Sequence, residues 1–153
     1  MTRRKQQEPD VFAGAATVHD GLFLLLRRSA RESFLPNVWG IPAGQVKQGE
    51  DPRAACVREL IEETGLRGRI LGQIDDSTFV SERNGIEFKN VQLNYLVQAK
   101  ECEVKLNQAS HSDARWISLD DVDNELLDSF TRRIMILARQ YYKDARTYRL
   151  THN

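Results

Sequence analysis

Three observations predict a single α+β domain, with helices packed on a β-sheet as an α/β/α sandwich. Apolar runs of strand length flank a short turn near residue 20. One helix-length segment carries its own start and stop signals. Beyond it come two more strand-like runs around an Asn-Gly turn, then a long stretch of helical periodicity. At 153 residues the chain suits one core, because two domains of this total length would each be cramped.

Residues 1–10 are polar and basic and read as a disordered lead-in; the domain is placed at 11–145, with a tail at 146–153. VFAGAATVH (Val11 to His19), the turn Asp20-Gly21, and LFLLLRR (Leu22 to Arg28) predict a β-hairpin. Ser29 to Asn37 reads as a loop and Trp39 to Pro42 as a short extended piece. A helix is predicted from Asp51-Pro52, a good N-cap followed by a proline suited to the first turn. It ends at Thr64, where Gly65 can take the left-handed conformation. Ala54, Val57 and Ile61, with Leu60 and Thr64 beside them, are predicted to be its apolar stripe. IDDSTFVSE and IEFKNVQLNYLVQAK read as strands joined at Arg83-Asn84-Gly85, and ARWIS (Ala114 to Ser118) as a further strand. Leu119 to Ala145 reads as helix, with Leu126, Phe130, Ile134 and Leu137 as a packing stripe.

Charge excludes one class of function. Lys plus Arg and Asp plus Glu number 22 each, so no global field favours bulk binding to DNA or RNA. A small phosphorylated ligand stays open, since one local cation can reverse the sign of a site. Met1 to Asp10 has no apolar core for a signal peptide, and no stretch approaches the ~20 apolar residues of a membrane span. Cys56 and Cys102 stand alone; two buried thiols in a reducing, cytoplasmic setting are expected ahead of a disulfide.

The chemistry concentrates on the first helix. Residues three and four apart share a helix face, so Glu59, Glu62 and Glu63 form one carboxylate patch. Like charges at that spacing repel, and Arg58 relieves only part of the repulsion, through Glu62 at i+4. The patch also lies toward the helix C-terminus, where the macrodipole disfavours acids. A solvated acidic face is the plain alternative; a hard divalent cation such as Mg²⁺ is the functional one. Ala43, Gly44 and Gly49, just upstream, allow backbone to approach a ligand closely.

Residues 44–66, GQVKQGEDPRAACVRELIEETGL, then resemble the Nudix box. Gly44, Glu50, Arg58, Glu59, Leu60, Glu62, Glu63, Gly65 and Leu66 fill its fixed positions without a gap, and LPNVWGIPAG and SDARWISLDDV resemble the usual flanks. The resemblance implies a mixed sheet between helices, with the box as loop–helix–loop. It implies hydrolysis of a nucleoside diphosphate linked to another moiety, with Mg²⁺ or Mn²⁺ as cofactor. Glu59, Glu62, Glu63 and the carbonyl of Ala43 would hold metal, Arg58 would orient the glutamates, and Gly44, Glu50 and Gly65 would shape the loops. The general base would be Glu59, with Glu62 as second choice. Where relatives carry Glu-His-x-Glu-x-x-Trp, this chain has Ser110-His111-Ser112-Asp113-Ala114-Arg115-Trp116, so Ser110 stands in place of the first acid. His111 is expected to be an ordinary loop histidine.

Other candidates are weaker. Arg27 and Arg28 could meet phosphate, but neighbours on a strand face opposite ways, so at most one points into a site. Lys47 could reach phosphate from the box loop, and Phe34 or Trp39 could stack on a base; Trp116 is expected in the core. Tyr141 and Tyr142 are candidates for a homodimer interface. The substrate expected is a small nucleotide, either a nucleoside triphosphate or a nucleotide sugar such as ADP-ribose. A nucleotide-sensing module without catalysis and an RNA 5′-end pyrophosphohydrolase are the rival readings.

Overall fold

The structure, a computed structural model, describes residues 8–32, 35–125 and 127–152. Ser33, Phe34 and Leu126, and most of the expected lead-in, lie outside the described residues. Strands β1 (Asp10–His19) and β2 (Leu22–Arg28) pair antiparallel around Asp20 and Gly21. Both turn residues have positive φ, the geometry that matches strand twist in a tight hairpin. Two short strands follow, β3 (Trp39–Gly40) and β4 (Ala43–Gln45), and then α1 (Pro52–Thr64).

The long hairpin of β5 (Gly68–Arg83) and β6 (Ile86–Ala99) turns at Asn84-Gly85, again with positive φ at both residues. β5 starts six residues ahead of its expected start at Ile74, because Gly68 to Gln73 continue the same ladder with β6. β7 (His111–Ser118) likewise starts at His111 rather than Ala114, extending its pairing along β2. The seven strands form one mixed sheet, with β1 and β6 parallel and every other pair antiparallel. β6 takes one edge of β1, so β4 and β2 share the other, at opposite ends.

Strand alternation distributes the apolar residues over two cores. Ala13, Ala15, Leu24, Leu26, Tyr95 and Val97 pack on the α1 side with Ala55, Cys56 and Leu60. Ala16, Val18, Phe23, Leu25 and Leu96 pack on the other side with Ile134, Met135 and Ala138 of α2 (Ser129–His152). Burial on both faces is why LFLLLRR is a continuous apolar run rather than an alternating one. The fold is the expected mixed sheet between helices.

Several local expectations change. The buried face of α1 is Ala55, Cys56, Leu60, Glu63 and Thr64, whereas Ala54 and Ile61 are exposed and Val57 is partly so. The box loop and β4 cover the helix on the Glu59–Glu63 side, which rotates the buried stripe toward the acids. The second helical stretch is two elements: a 3₁₀ turn, Leu119–Asn124, capped by the Ser118 hydroxyl, and then α2 from Ser129. Asp128 caps α2 by accepting from Thr131 N–H at 2.9 Å. α2 continues to His152, through residues expected as a tail. Of its expected stripe, Ile134 is buried, Phe130 is half-buried and Leu137 is exposed. Cys102 is exposed and unpaired, so only Cys56 is a buried thiol; burial pushes that thiol's pKa up to about 12. Trp116 is half-buried beside the α1-side core, and its indole N–H donates to the Cys102 carbonyl. Tyr141 packs against Gly72 and donates to Leu71 C=O within the chain. No helix among the described residues is long and apolar enough to cross a membrane.

Candidate active site

The joint between the box loop and α1 builds the site. Asp51 caps α1 by accepting from Arg53 N–H at 2.7 Å, and Gly65, at φ 73°, closes it by donating to Ile61 C=O. Gly44 lies directly beneath Glu59: a Cβ there would come within 2.0 Å of the carboxylate carbon. Only glycine lets β4 pass under that side chain.

Arg58 ties loop to helix. Its Nε and Nη2 donate to both Glu50 oxygens at 2.8 and 2.9 Å, and Nη2 also reaches Gln45 C=O. Its Nη1 is shared between Glu59 at 2.8 Å and Glu62 at 3.1 Å. The guanidinium holds the Glu50 carboxyl down at about 2, helped by the Lys47 N–H that donates to it. Arg58 makes no hydrogen bond to Glu63. That residue is only 8 % exposed, and one of its oxygens accepts from Ala43 N–H at 3.1 Å. Burial, and then the neighbouring Glu59, hold the Glu63 carboxyl well above its ordinary range. Glu59 is raised as well, chiefly by burial. Glu63 is therefore no surface acid, which corrects its expected place away from the buried stripe.

Ala43, Gly44, Glu59 and Glu63 line a cleft of about 340 Å³, whereas Glu50, Arg58 and Glu62 lie outside its lining. Arg28 faces it and pairs with Glu32 at 3.3 Å. Arg27, the next residue on the strand, is exposed, donates to Asn37 C=O and does not line the cleft. Lys47 is exposed too; it borders a separate shallow recess with Arg58, Glu59 and Glu62, so Glu59 faces both recesses. Trp39 lines the cleft, while Phe34 lies outside the described residues.

His111 corrects an expectation. It is 3 % exposed, begins β7 and lines the cleft instead of lying in a loop. The preceding segment is drawn to the end of α1, where Lys105 N–H and Asn107 N–H satisfy the Thr64 and Glu63 carbonyls. Burial, then Arg28, push the imidazole down to about 4, so it is neutral at pH 7. Asp113 is exposed, accepts from Ala114 N–H through one oxygen and does not line the cleft. Sequence reasoning also passed over Glu32, Asn90, Gln92 and Phe79, all in the cleft wall. Asn90, Gln92 and Asn94 alternate with apolar residues along β6, and buried polar groups at that period were the available signal.

Among the described residues no three acidic, histidine or cysteine side chains stand close enough to cage a metal as they are; Arg58 stands among the acids. Residues 9–138 match the NUDIX domain family. The chain belongs to the Nudix family. Among Nudix proteins it is 35 % identical to the m7GpppN-mRNA hydrolase NUDT17 of Xenopus laevis, over 62 % of this chain and 34 % of that one. It is 29 % identical to the RNA pyrophosphohydrolase of Pelagibacter ubique, over 60 % of this chain and 66 % of that one. The chain thus spans less than two thirds of the length of these curated relatives. The MutT NUDIX hydrolase structure from Burkholderia pseudomallei superposes with a TM-score of 0.72 at 29 % identity, covering 86 % of this chain and 98 % of that one.

Proposed function

We propose that this Nudix protein is a Mg²⁺- or Mn²⁺-dependent hydrolase. It would cleave a phosphoanhydride bond in a nucleoside diphosphate linked to a further group, such as a nucleoside triphosphate or ADP-ribose. One observation carries the reading: two neighbouring carboxyls, the buried Glu63 and the half-buried Glu59, face the cleft, and burial raises both. Arg58 serves Glu50, Glu59 and Glu62 but not Glu63, and among the described residues neither Glu59 Oε2 nor Glu63 Oε1 accepts a hydrogen bond. That oxygen-only donor set fits a hard divalent cation, held by Glu59, Glu62, Glu63 and the Ala43 carbonyl. When bound, the cation would neutralise substrate phosphate and acidify a water.

The chain's own residues supply the rest. Glu59 accepts a proton from the attacking water; its raised pKa favours that role over the exposed Glu62. Arg58 fixes the acids in place, and Arg28 presents a guanidinium to phosphate oxygens. Trp39, Phe79 and Phe130 give the cleft apolar walls on which a base can stack. Free thiols at Cys56 and Cys102 suit a reducing, cytoplasmic location.

The test is hydrolysis of nucleoside triphosphates, nucleotide sugars, dinucleoside polyphosphates and 5′-triphosphate RNA, with and without Mg²⁺. Metal-dependent turnover of one class is expected, reduced at least about a hundredfold in Glu63→Gln. Silence across the panel from a protein that still binds nucleotide would replace the enzyme with a nucleotide sensor. Turnover confined to RNA would favour 5′-end pyrophosphohydrolysis.

A further inference from the structure

A row of buried amides on β6, Asn90, Gln92 and Asn94, reaches the cleft wall through its first two members, and its hydrogen-bonding direction is fixed from behind. Asn94 Nδ2 lies 3.3 Å from Asp75 Oδ1 and 3.5 Å from the Gln92 main-chain carbonyl. Both of those groups only accept, so the Asn94 atom facing them is its nitrogen. Asn94 Oδ1 therefore faces Gln92, 2.8 Å away, and must receive the Gln92 amide N–H. Gln92 Oε1 is the atom left over. The same logic holds one step along the strand: Asn90 Nδ2 donates to the Phe88 carbonyl at 3.4 Å and to Ser81 Oγ at 2.9 Å, leaving Asn90 Oδ1.

Asn90 and Gln92 are 2 % and 4 % exposed, and both line the cleft. Their spare oxygens accept from no described residue, yet neither is fully sealed from solvent, so both open on the cleft. Gly14 protects the arrangement: a Cβ there would meet Asn94 Oδ1 at 2.5 Å and Gln92 Nε2 at 2.7 Å. Phe79 pairs across the ladder with Asn90, which sets an aromatic face beside the oxygens, and Phe12 packs edge-on against it.

We propose that the cleft selects nucleotides whose base presents adjacent N–H donors, guanine foremost, through the outward carbonyl oxygens of Asn90 and Gln92. The inference rests on the nucleotide cleft proposed above and names which base it takes. Guanine offers a ring N–H beside an exocyclic amine, two donors for two acceptors. Adenine offers its amine next to a ring acceptor, which would set lone pair against lone pair. Hypoxanthine keeps the ring N–H but lacks the amine, leaving one oxygen unanswered. Buried acceptors left unanswered are a strong source of discrimination.

The experiment is equilibrium binding of GDP, IDP and ADP in EDTA, where no metal-dependent turnover competes, beside hydrolysis of GTP, ITP and ATP in Mg²⁺. GDP is expected to bind about tenfold or more tightly than IDP and ADP. That ratio should fall toward one in Gln92→Met, which keeps the side-chain length and removes the acceptor. Equal affinities in the wild type, read without any variant, overturn the proposal, and so does a preference unchanged in a folded Gln92→Met. Hydrolysis without base preference sinks this inference and leaves the reaction standing. A guanine preference in binding with no hydrolysis sinks the reaction and leaves this inference. Absence of binding by any of the three in EDTA overturns this inference, and hydrolysis in Mg²⁺ decides the reaction separately.

Discussion

Glu63 combines two opposing roles in one side chain. Its carboxyl is raised in the folded protein, chiefly by burial, so the folded state binds that proton more tightly than the unfolded chain does. The Glu63 contribution to the stability of the metal-free protein is then fully present below the ordinary carboxyl value of 4.5, and is lost as pH climbs through the raised folded value. Glu63→Gln removes the loss while leaving an amide oxygen to accept from Ala43 N–H. In EDTA at pH 7 the variant should melt higher than wild type, by about 2–4 °C for each kcal/mol relieved, and the gap should close on acidification. A lower melting temperature for the variant at neutral pH would contradict this account. The box spelled out which acids cluster, because helical spacing alone puts them on one face. Their burial was not legible, since it comes from β4 passing under Glu59 at Gly44 and reaching Glu63 through Ala43 N–H, contacts between different elements.

At the scale of elements, the box loop and α1 act as one piece because a single guanidinium spans them. Lysine cannot reproduce that: one ammonium cannot serve Glu50 twice, Glu59, Glu62 and Gln45 C=O together. Arg58→Lys should reduce turnover about 10- to 100-fold by loosening the acids, with the fold kept in circular dichroism. The Glu50 carboxyl, held down at about 2, stabilises the folded state fully above 4.5, and that contribution fades as pH falls toward 2. Wild type should therefore show this acid loss in thermal melts, and Arg58→Lys should show less of it. Identical profiles would mean the bridge contributes nothing measurable. Here the sequence was most readable: Asp51, Pro52 and Gly65 mark the ends of α1 because caps and turns are local chemistry. The apolar stripe was less so. Ile61 looks like a core residue by hydropathy and is exposed, because the loop covers the face one step around the helix.

For the molecule as a whole, the two-sided burial of the sheet could be anticipated from the unbroken apolar run of β2 and the consecutive small residues of β1. The parallel pairing of β1 with β6 could not, since hairpin signals speak only for neighbours. That pairing joins Asp10 to Asn90 and Val18 to Gln98, each eighty residues apart along the chain. It has a consequence in time rather than space. The two hairpins can zip up from their own turns, whereas β1 and β6 must wait for closure of a loop of about eighty residues. Gly14 and its amide neighbours on β6 face each other only after that event. On refolding from denaturant, far-ultraviolet dichroism should recover first and the fluorescence of Trp39, in the cleft wall, later; simultaneous recovery would argue for one concerted step. The cleft, lined from β1 through to Phe130 and Thr131 of α2, would then be completed late, and a nascent chain would lack part of its nucleotide cleft until the start of α2 has left the ribosome.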